Sequence, residues 1–369
     1  MRDDTMARPT PLPGLDRIDP YKPGESAIAG RTEVVKLSSN ENALGTSPRA
    51  REAFKATASH LHDYPEGSAR ALREAAGKLH DIDPARIVCG AGSDELLQLI
   101  AKAYAGPGDE ILYTEYSFQV YPLVAKQVRA TGVAAPETGF TADVDALLSR
   151  VSEKTKILFL ANPNNPTGTM LSSGEIARLH AGLPETTLLV LDAAYAEYVD
   201  DPDYDGGQAL ALEAPNVVMT RTLSKIYGLA ALRAGWMTGS AEVIDVINRM
   251  RGPFNVTGPA IAAAAAAMED QAFVKACAAH NAAELNRLEA AADRLGILGA
   301  NSKANFVMLQ FANEPGRTAA DADAHLKSRG LIVRRLEKFG LGDCLRVTVG
   351  TAEDNTRVIE ALDAFMGEA

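Results

Sequence analysis

The chain has 369 residues, 46% of them hydrophobic and 23% charged, which excludes a disordered, collagenous or disulfide-stapled protein. At roughly 150 residues per domain, that length suits two or three domains. The formal net charge is −11, which opposes nucleic acid as the main partner without forbidding a local basic pocket.

The N-terminus, MRDDTMARPTPLPG, has no apolar core of a secretory signal. Residues 1 to about 30 are rich in proline, glycine and charge and read as an arm without its own core. From about residue 45 to 250, helical patterns alternate with short apolar runs. The helical stretches include 47–59, 69–80, 94–104 and 118–128, each opening near Ser, Asp or Pro. Between them lie IVCG from Ile87, EILYTE from Glu110, KILFLAN from Lys156, LLVLDAAY from Leu188, VVMTRT from Val217 and AGWMTG from Ala234. These runs are apolar throughout rather than alternating, as strands buried on both faces are. An α/β fold with a mostly parallel sheet covered by helices is expected.

An alanine-rich helix is expected from about 259 to 295. Its longest apolar run, AIAAAAAAM, falls far short of the roughly 20 residues a membrane span needs. The tail changes rhythm, with NFVMLQF from Asn305, LIVRR from Leu331 and LRVTVG from Leu345, as a smaller α/β domain would. The expected division is an arm at 1–44 joining the small domain, a large domain at 45–255 and a small domain at 256–369. The three cysteines, Cys89, Cys277 and Cys344, show no C-x-x-C spacing and suit a reducing, cytoplasmic setting. The six histidines form no metal-ligand spacing, so no metal is expected.

Four segments carry candidate chemistry. In TLSKIYGLAALRAGW, Lys225 sits in a small, apolar setting, and desolvation lowers an amine's pKa as a Schiff-base lysine requires. Thr222, Ser224 and Arg233 around it suit a phosphorylated aldehyde; a surface loop is the other reading. Asp192 ends the buried run LLVLD, where ligands bind in parallel sheets. It suits either a helix N-cap or a carboxylate that keeps a pyridine nitrogen protonated. The turn ANPNNPTG follows the strand KILFL, and its Asn165 offers an amide donor. CGAGSDELL joins a strand to a helix whose first amides, at Ser93, Asp94 and Glu95, point toward a prospective anion.

In this order, the four segments resemble the pyridoxal-phosphate-dependent aminotransferases of fold type I, class II, over nearly the whole chain. More narrowly they resemble the histidinol-phosphate aminotransferases, through DPYKPG, LSSNENALG, YPEGSARALREA, RGPFNV and LRVTVG. The resemblance implies that Lys225 forms the Schiff base with the cofactor and carries the proton between substrate and cofactor. It implies that Asp192 pairs with the pyridine nitrogen and that Asn165 and Tyr195 hydrogen-bond the phenolate oxygen. It assigns ring stacking to Tyr116. The phosphate falls to Ser93, Asp94, Glu95, Thr222, Ser224, Arg233 and a Tyr64 supplied by the second subunit of a homodimer. Tyr21, Asn42, Arg334 and Arg346 would line the substrate pocket. One departure stands out: the family's D-E-A-Y is here Asp192-Ala193-Ala194-Tyr195.

The implied reaction moves an amino group from L-histidinol phosphate to 2-oxoglutarate in histidine biosynthesis. An aromatic amino acid aminotransferase and a phospho-amino-acid decarboxylase share the same skeleton and are the alternatives. A regulator built on the fold would carry a DNA-binding domain, for which the roughly 35 residues before the first motif are too few.

Overall fold

The computed structural model describes residues 9–20 and 24–367. Strand β1 (Val35–Lys36) leads to helix α1 (Pro48–Ala56), which Ser47 caps by accepting from the Ala50 amide. There follow α2 (Arg70–His80), β2 (Ile87–Gly90), α3 (Ser93–Tyr104), β3 (Glu110–Thr114), α4 (Val120–Gln127) and β4 (Thr131–Ala135). A hairpin of β5 (Glu137–Thr138) and β6 (Thr141–Ala142) precedes α5 (Val144–Ser149), β7 (Thr155–Ala161) and α6 (Ser173–Ala181). Then come β8 (Leu188–Asp192), α7 (Gln208–Glu213), β9 (Val217–Thr222), β10 (Gly235–Gly239) and α8 (Ala241–Met250).

Seven of these strands form one sheet in the order β2-β10-β9-β8-β7-β3-β4. All are parallel except β10, which runs antiparallel to both its neighbours. The continuous apolar runs divide residue by residue between the two faces. Leu158 and Leu160 of β7 and Leu189 and Leu191 of β8 share a core with α5 and α6. Ile157, Phe159, Leu188 and Val190 pack against α3, α4 and α8. Phe159 is fully buried and stacks on Tyr121, ring centroids 4.9 Å apart; burying such a ring contributes about 1.5–3 kcal/mol.

The expected single helix from 259 to 295 is two helices, α9 (Gly258–Glu269) and α10 (Gln271–Arg294). Asp270 breaks it with ψ at 62° and caps α10 by accepting from the Phe273 amide at 3.4 Å. Its other carboxylate oxygen accepts from Ser47 Oγ at 2.5 Å, which ties the break to the start of α1. Buried Ala260, Ala263, Ala264 and Ala267 let α9 approach α1 and α2 closely.

A second sheet joins β11 (Leu298–Ala300), β12 (Phe306–Gln310), β14 (Arg334–Leu336) and β15 (Leu341–Thr348), antiparallel in the order β11-β12-β15-β14. Helices α10, α11 (Ala319–Ser328) and α12 (Ala352–Gly367) cover it, burying Leu285, Leu326, Val358 and Leu362 against Val307, Leu345 and Val347. The arm joins this layer. β1 pairs in parallel with β13 (Leu331–Ile332), and Leu37 enters the same core. Among the described residues no helix is long and apolar enough to cross a membrane.

Candidate active site

The carboxyl ends of β7, β8 and β9 lie side by side. The turns that leave them carry polar side chains into a cleft of about 230 Å³. Ser93, Asp94, Asn165, Asp192, Tyr195, Thr222, Ser224, Lys225 and Arg233 all line it.

Asp192 ends β8 and is 4% exposed. Its Oδ2 accepts from the Tyr121 hydroxyl at 2.9 Å and its Oδ1 from Thr220 Oγ1 at 3.2 Å. Burial is the largest influence on its pKa and raises it to about 6; those two hydroxyls and Lys225 pull the other way.

Lys225 sits in the turn after β9. Thr222 Oγ1 accepts from the Ser224 amide at 3.2 Å, and the Lys225 carbonyl accepts from the Gly228 amide at 2.9 Å. Gly228 has φ at 66°, and any Cβ there would collide with the Gly45 carbonyl, so the turn requires glycine. The Lys225 amine lies 5.7 Å from the centroid of the Tyr195 ring and donates to the Ser39 carbonyl at 3.4 Å.

An anion cradle forms beside it. The first amides of the twelve-residue helix α3 open toward the cleft wall formed by Ser93 and Asp94. Arg233 donates to Ser224 Oγ at 3.2 Å and pairs with Asp94 Oδ2 at 3.1 Å. A Cβ on Gly92 would lie 2.5 Å from the Arg233 guanidinium, so glycine is what lets the arginine lie across the helix start.

A family model for aminotransferase class I and II matches residues 32–362. The chain belongs to the aminotransferase class I and II family. It is 52% identical to a histidinol-phosphate aminotransferase of Maricaulis maris, covering 96% of this chain and 98% of that one. It is 51% identical to one from Rhodospirillum rubrum, covering 97% of each. The solved histidinol-phosphate aminotransferase of Sinorhizobium meliloti, in complex with pyridoxal-5'-phosphate, superposes with a TM-score of 0.85 at 26% identity over 92% of each chain. A threonine-phosphate decarboxylase of Porphyromonas gingivalis, 22% identical with a TM-score of 0.78, shares the fold.

Several residues expected at this aminotransferase's site stand elsewhere. Tyr116 does not border the cleft. Its ring faces Phe140 at 6.1 Å and packs with Phe339 and Leu341 beside the second sheet. Phe118, two residues on, lines the cleft in its place. The chain bends as it leaves β3, so the strand's alternation does not carry through, and the nearer aromatic turns away. Asn42 also lies outside the cleft wall, donating to the Ile226 carbonyl at 2.5 Å and to Cys277 Sγ at 3.2 Å. It holds the Lys225 turn from behind. Asn40 is the arm asparagine that reaches the site, donating to the Tyr195 hydroxyl at 2.9 Å.

Glu95 is expected through its backbone amide in the first turn of α3; its side chain accepts from the Ala91 amide at 2.6 Å and Asn255 at 2.8 Å, bracing the glycine-rich turn. Arg346 is 5% exposed; it donates to Asn165 Oδ1 at 2.5 Å and to the Ser38 carbonyl at 2.9 Å, with its guanidinium 5.2 Å from the Phe306 ring. Arg334, its register partner on β14, lines a separate groove with Asp19, Lys126 and Lys338. Tyr64 is 83% exposed, stacked on Phe254 at 4.7 Å and outside the cleft. Tyr21 lies outside the described residues.

Reading the sequence missed Tyr121, Thr220, Ser39, Asn40, Glu41 and Phe118. Only Asn40 carried a signal, since asparagine is one of the few residues that accepts its left-handed φ of 58°.

Proposed function

We propose that this aminotransferase uses pyridoxal 5'-phosphate to transfer an amino group from L-histidinol phosphate to 2-oxoglutarate, giving imidazole acetol phosphate and L-glutamate in histidine biosynthesis. The observation that carries this reading is one cleft bringing together the Lys225 amine, the buried Asp192 carboxylate and the Arg233 cradle. The relatives above 50% identity, matched nearly end to end, carry the histidinol-phosphate name. Neither the aromatic aminotransferase nor the decarboxylase reading has support of that kind.

The residues present fit the cofactor. Asp192 is a carboxylate buried without a cationic partner of its own, and a protonated ring nitrogen would supply one. Helix amides, two hydroxyls and a guanidinium make a donor set for a phosphate dianion. Ser93, Asp94, Thr222, Ser224 and Arg233 would hold that phosphate, and Phe118 the ring face. The cofactor, when bound, supplies an electron sink for breaking the bond between the donor's α-carbon and its proton. Asp192 keeps the proton on the ring nitrogen, held in place by Tyr121 and Thr220. Lys225 is the base that takes the α-proton and returns it. Asn165, with Oδ1 accepting from Arg346, has its Nδ2 to donate to the phenolate oxygen, and the Tyr195 hydroxyl donates there too. Arg346, beside the cleft wall at Asn165, would meet an anionic substrate group by exchanging its contact with Asn165 or with the Ser38 carbonyl.

A second copy of the chain is part of the reading. Phe54, Leu61, Tyr64 and Phe254 are exposed around a groove of about 1190 Å³ that also includes Arg233. A homodimer covering this groove would bring each Tyr64 to its partner's phosphate. The boundary between the large and small units is best drawn inside α10 rather than at 255, because α9, Val274 and Cys277 pack with the large sheet and Leu285 and Leu288 with the small one. Three buried free thiols support a cytoplasmic location.

The test is a single-turnover half-reaction with purified holoenzyme, following the cofactor's visible absorbance. Conversion by L-histidinol phosphate, reversed by 2-oxoglutarate, is expected. Conversion by phenylalanine or tyrosine with none by histidinol phosphate overturns the substrate in favour of an aromatic aminotransferase.

A further inference from the structure

We propose that Glu197 is a positioning residue: its buried ion pair with Arg221 fixes the main-chain end of Tyr195, so that the tyrosine hydroxyl stays aimed at the cofactor's phenolate oxygen. This rests on the function proposed above, and within it on the place given to Tyr195. Tyr195 leaves β8 in a tight turn that continues as one helical turn, Ala196–Tyr198. The Ala193 amide still donates to the Thr220 carbonyl of β9 at 3.0 Å. Past that point the turn bonds to itself, the Ala196 amide donating to the Ala193 carbonyl at 3.2 Å and the Tyr198 amide to the Tyr195 carbonyl at 3.0 Å. Glu197 supplies the tie back to the sheet. Its Oε1 accepts from Arg221 Nη1 at 3.2 Å, with the two side chains only 10% and 7% exposed. Arg221 is itself held, donating through Nη2 to the Asp205 carbonyl at 3.2 Å and through Nε to Met219 Sδ at 3.3 Å. On β9 it stands between Thr220, which donates to Asp192, and Thr222, which accepts from the Ser224 amide, and it points to the other face. The pair therefore fastens the Tyr195 turn to the strand that orders the rest of the site. Asn40 holds the hydroxyl end of the same tyrosine.

The tether can be separated from the charge balance. Among the described residues, Glu197 is the carboxylate within ion-pair distance of Arg221, and removing one partner of a buried pair leaves the other charge uncompensated. Ala193 lies against the same guanidinium: a Cβ on Gly206 would stand 3.0 Å from Arg221 Nη2 and 3.2 Å from Ala193 Cβ. Ala193 is the alanine that replaces the acidic residue of D-E-A-Y; it is 1% exposed and does not line the cleft. A carboxylate placed at 193 would neutralise Arg221. It would do so from the end of the strand, already fixed by the Thr220 carbonyl, and would leave the Tyr195 turn untied.

The experiment titrates the visible absorbance of bound pyridoxal 5'-phosphate against pH in the holoenzyme, with a parallel melt. A hydroxyl that donates to the phenolate oxygen favours its charged form, so Tyr195→Phe raises the pH midpoint. Glu197→Gln raises it by about half a pH unit or more. Combined with Tyr195→Phe, it raises the midpoint no further than Tyr195→Phe alone. Adding Ala193→Glu to Glu197→Gln brings the melting temperature back toward the wild type and leaves the midpoint raised. A Glu197→Gln protein that melts lower but keeps the wild-type midpoint overturns the inference in favour of a structural pair. Failure of both Glu197→Gln and its combination with Ala193→Glu to fold does the same. A midpoint restored by Ala193→Glu overturns the tether in favour of charge balance, and additive shifts with Tyr195→Phe overturn it too. A wild type that binds no pyridoxal 5'-phosphate, or an unchanged midpoint in Tyr195→Phe, overturns the functional reading at this residue, and this inference with it.

Discussion

Asn40 and Tyr195 meet across the boundary between the arm and the large sheet, the Asn40 amide donating to the tyrosine hydroxyl at 2.9 Å. The same asparagine accepts from Thr348 Oγ1 at 3.1 Å, while its backbone amide donates to that hydroxyl at 3.0 Å. One residue thus joins the cleft, the arm and the last strand of the second sheet. All three groups are buried. Asn40→Ala takes the donor from the Tyr195 hydroxyl and the acceptor from the Thr348 hydroxyl and removes a residue suited to a left-handed φ, so it lowers unfolding free energy by about 1–3 kcal/mol. Chemical denaturation measures this, and Thr348→Val combined with Asn40→Ala adds less than the sum of the single changes.

Lys225→Ala abolishes amino transfer, a fall of about 10⁴-fold or more, because the amine has no substitute in the cleft. Borohydride treatment followed by peptide mass analysis gives an activity-independent readout. The wild-type peptide containing Lys225 gains the cofactor's mass, and the variant's does not.

Phe118→Ala weakens cofactor binding about tenfold, since an aromatic face is worth about 0.5–1.5 kcal/mol beyond its area. Tyr116→Ala leaves cofactor affinity near the wild-type value and instead lowers the melting temperature, because that ring packs with Phe140 and Phe339. Equilibrium dialysis of the cofactor with a parallel melt separates the two. The opposite pattern restores Tyr116 as the stacking residue.

Burial raises the Asp192 pKa in the cofactor-free protein from 3.8 to about 6. A raised carboxylate favours the folded state when protonated. Its stabilising share is present below pH 3.8 and is lost as pH rises toward and through 6. A cationic ring nitrogen needs the ionised form, so cofactor affinity climbs between about pH 5 and 7 and then levels. Asp192→Asn flattens that rise, as fluorescence titration across the range shows.

Glu137 follows the same sign outside the cleft. Desolvation lifts its pKa from 4.5 to about 7, against the pull of the Thr114 hydroxyl and the Tyr116 amide. Neutral Glu137 suits the fold, and the cost of ionising it grows between pH 4.5 and 7. Glu137→Gln therefore melts a few degrees higher than the wild type at pH 8 and close to it at pH 4.5.

The strands were legible because burial on both faces leaves an apolar run nothing else explains. Asp192, Thr222 and Lys225 were legible because they end or follow such runs. The differences between expected and observed placement have local causes. Tyr116 and Phe118 are two aromatics at strand spacing, and only the bend after β3 decides which one faces the cleft. Asn40 and Asn42 pose the same problem, settled by a left-handed residue that spacing does not reveal. The break at Asp270 hides inside an alanine-rich stretch, where a single N-cap residue is easily read as part of one continuous helix. Arg334 and Arg346 share a register position on neighbouring strands, yet only the second contacts Asn165.

The groups that seat the arm, Arg346 and Thr348, belong to the last long strand of the chain. During synthesis Ser93, Ser224 and Arg233 therefore emerge long before Arg346 and Thr348 can fasten Ser38 and Asn40. A nascent or C-terminally truncated chain would hold a phosphate pocket without its arm-side wall. A chain that stops short of the last strand therefore lacks the Arg346 and Thr348 contacts to the arm, whatever the state of its large sheet.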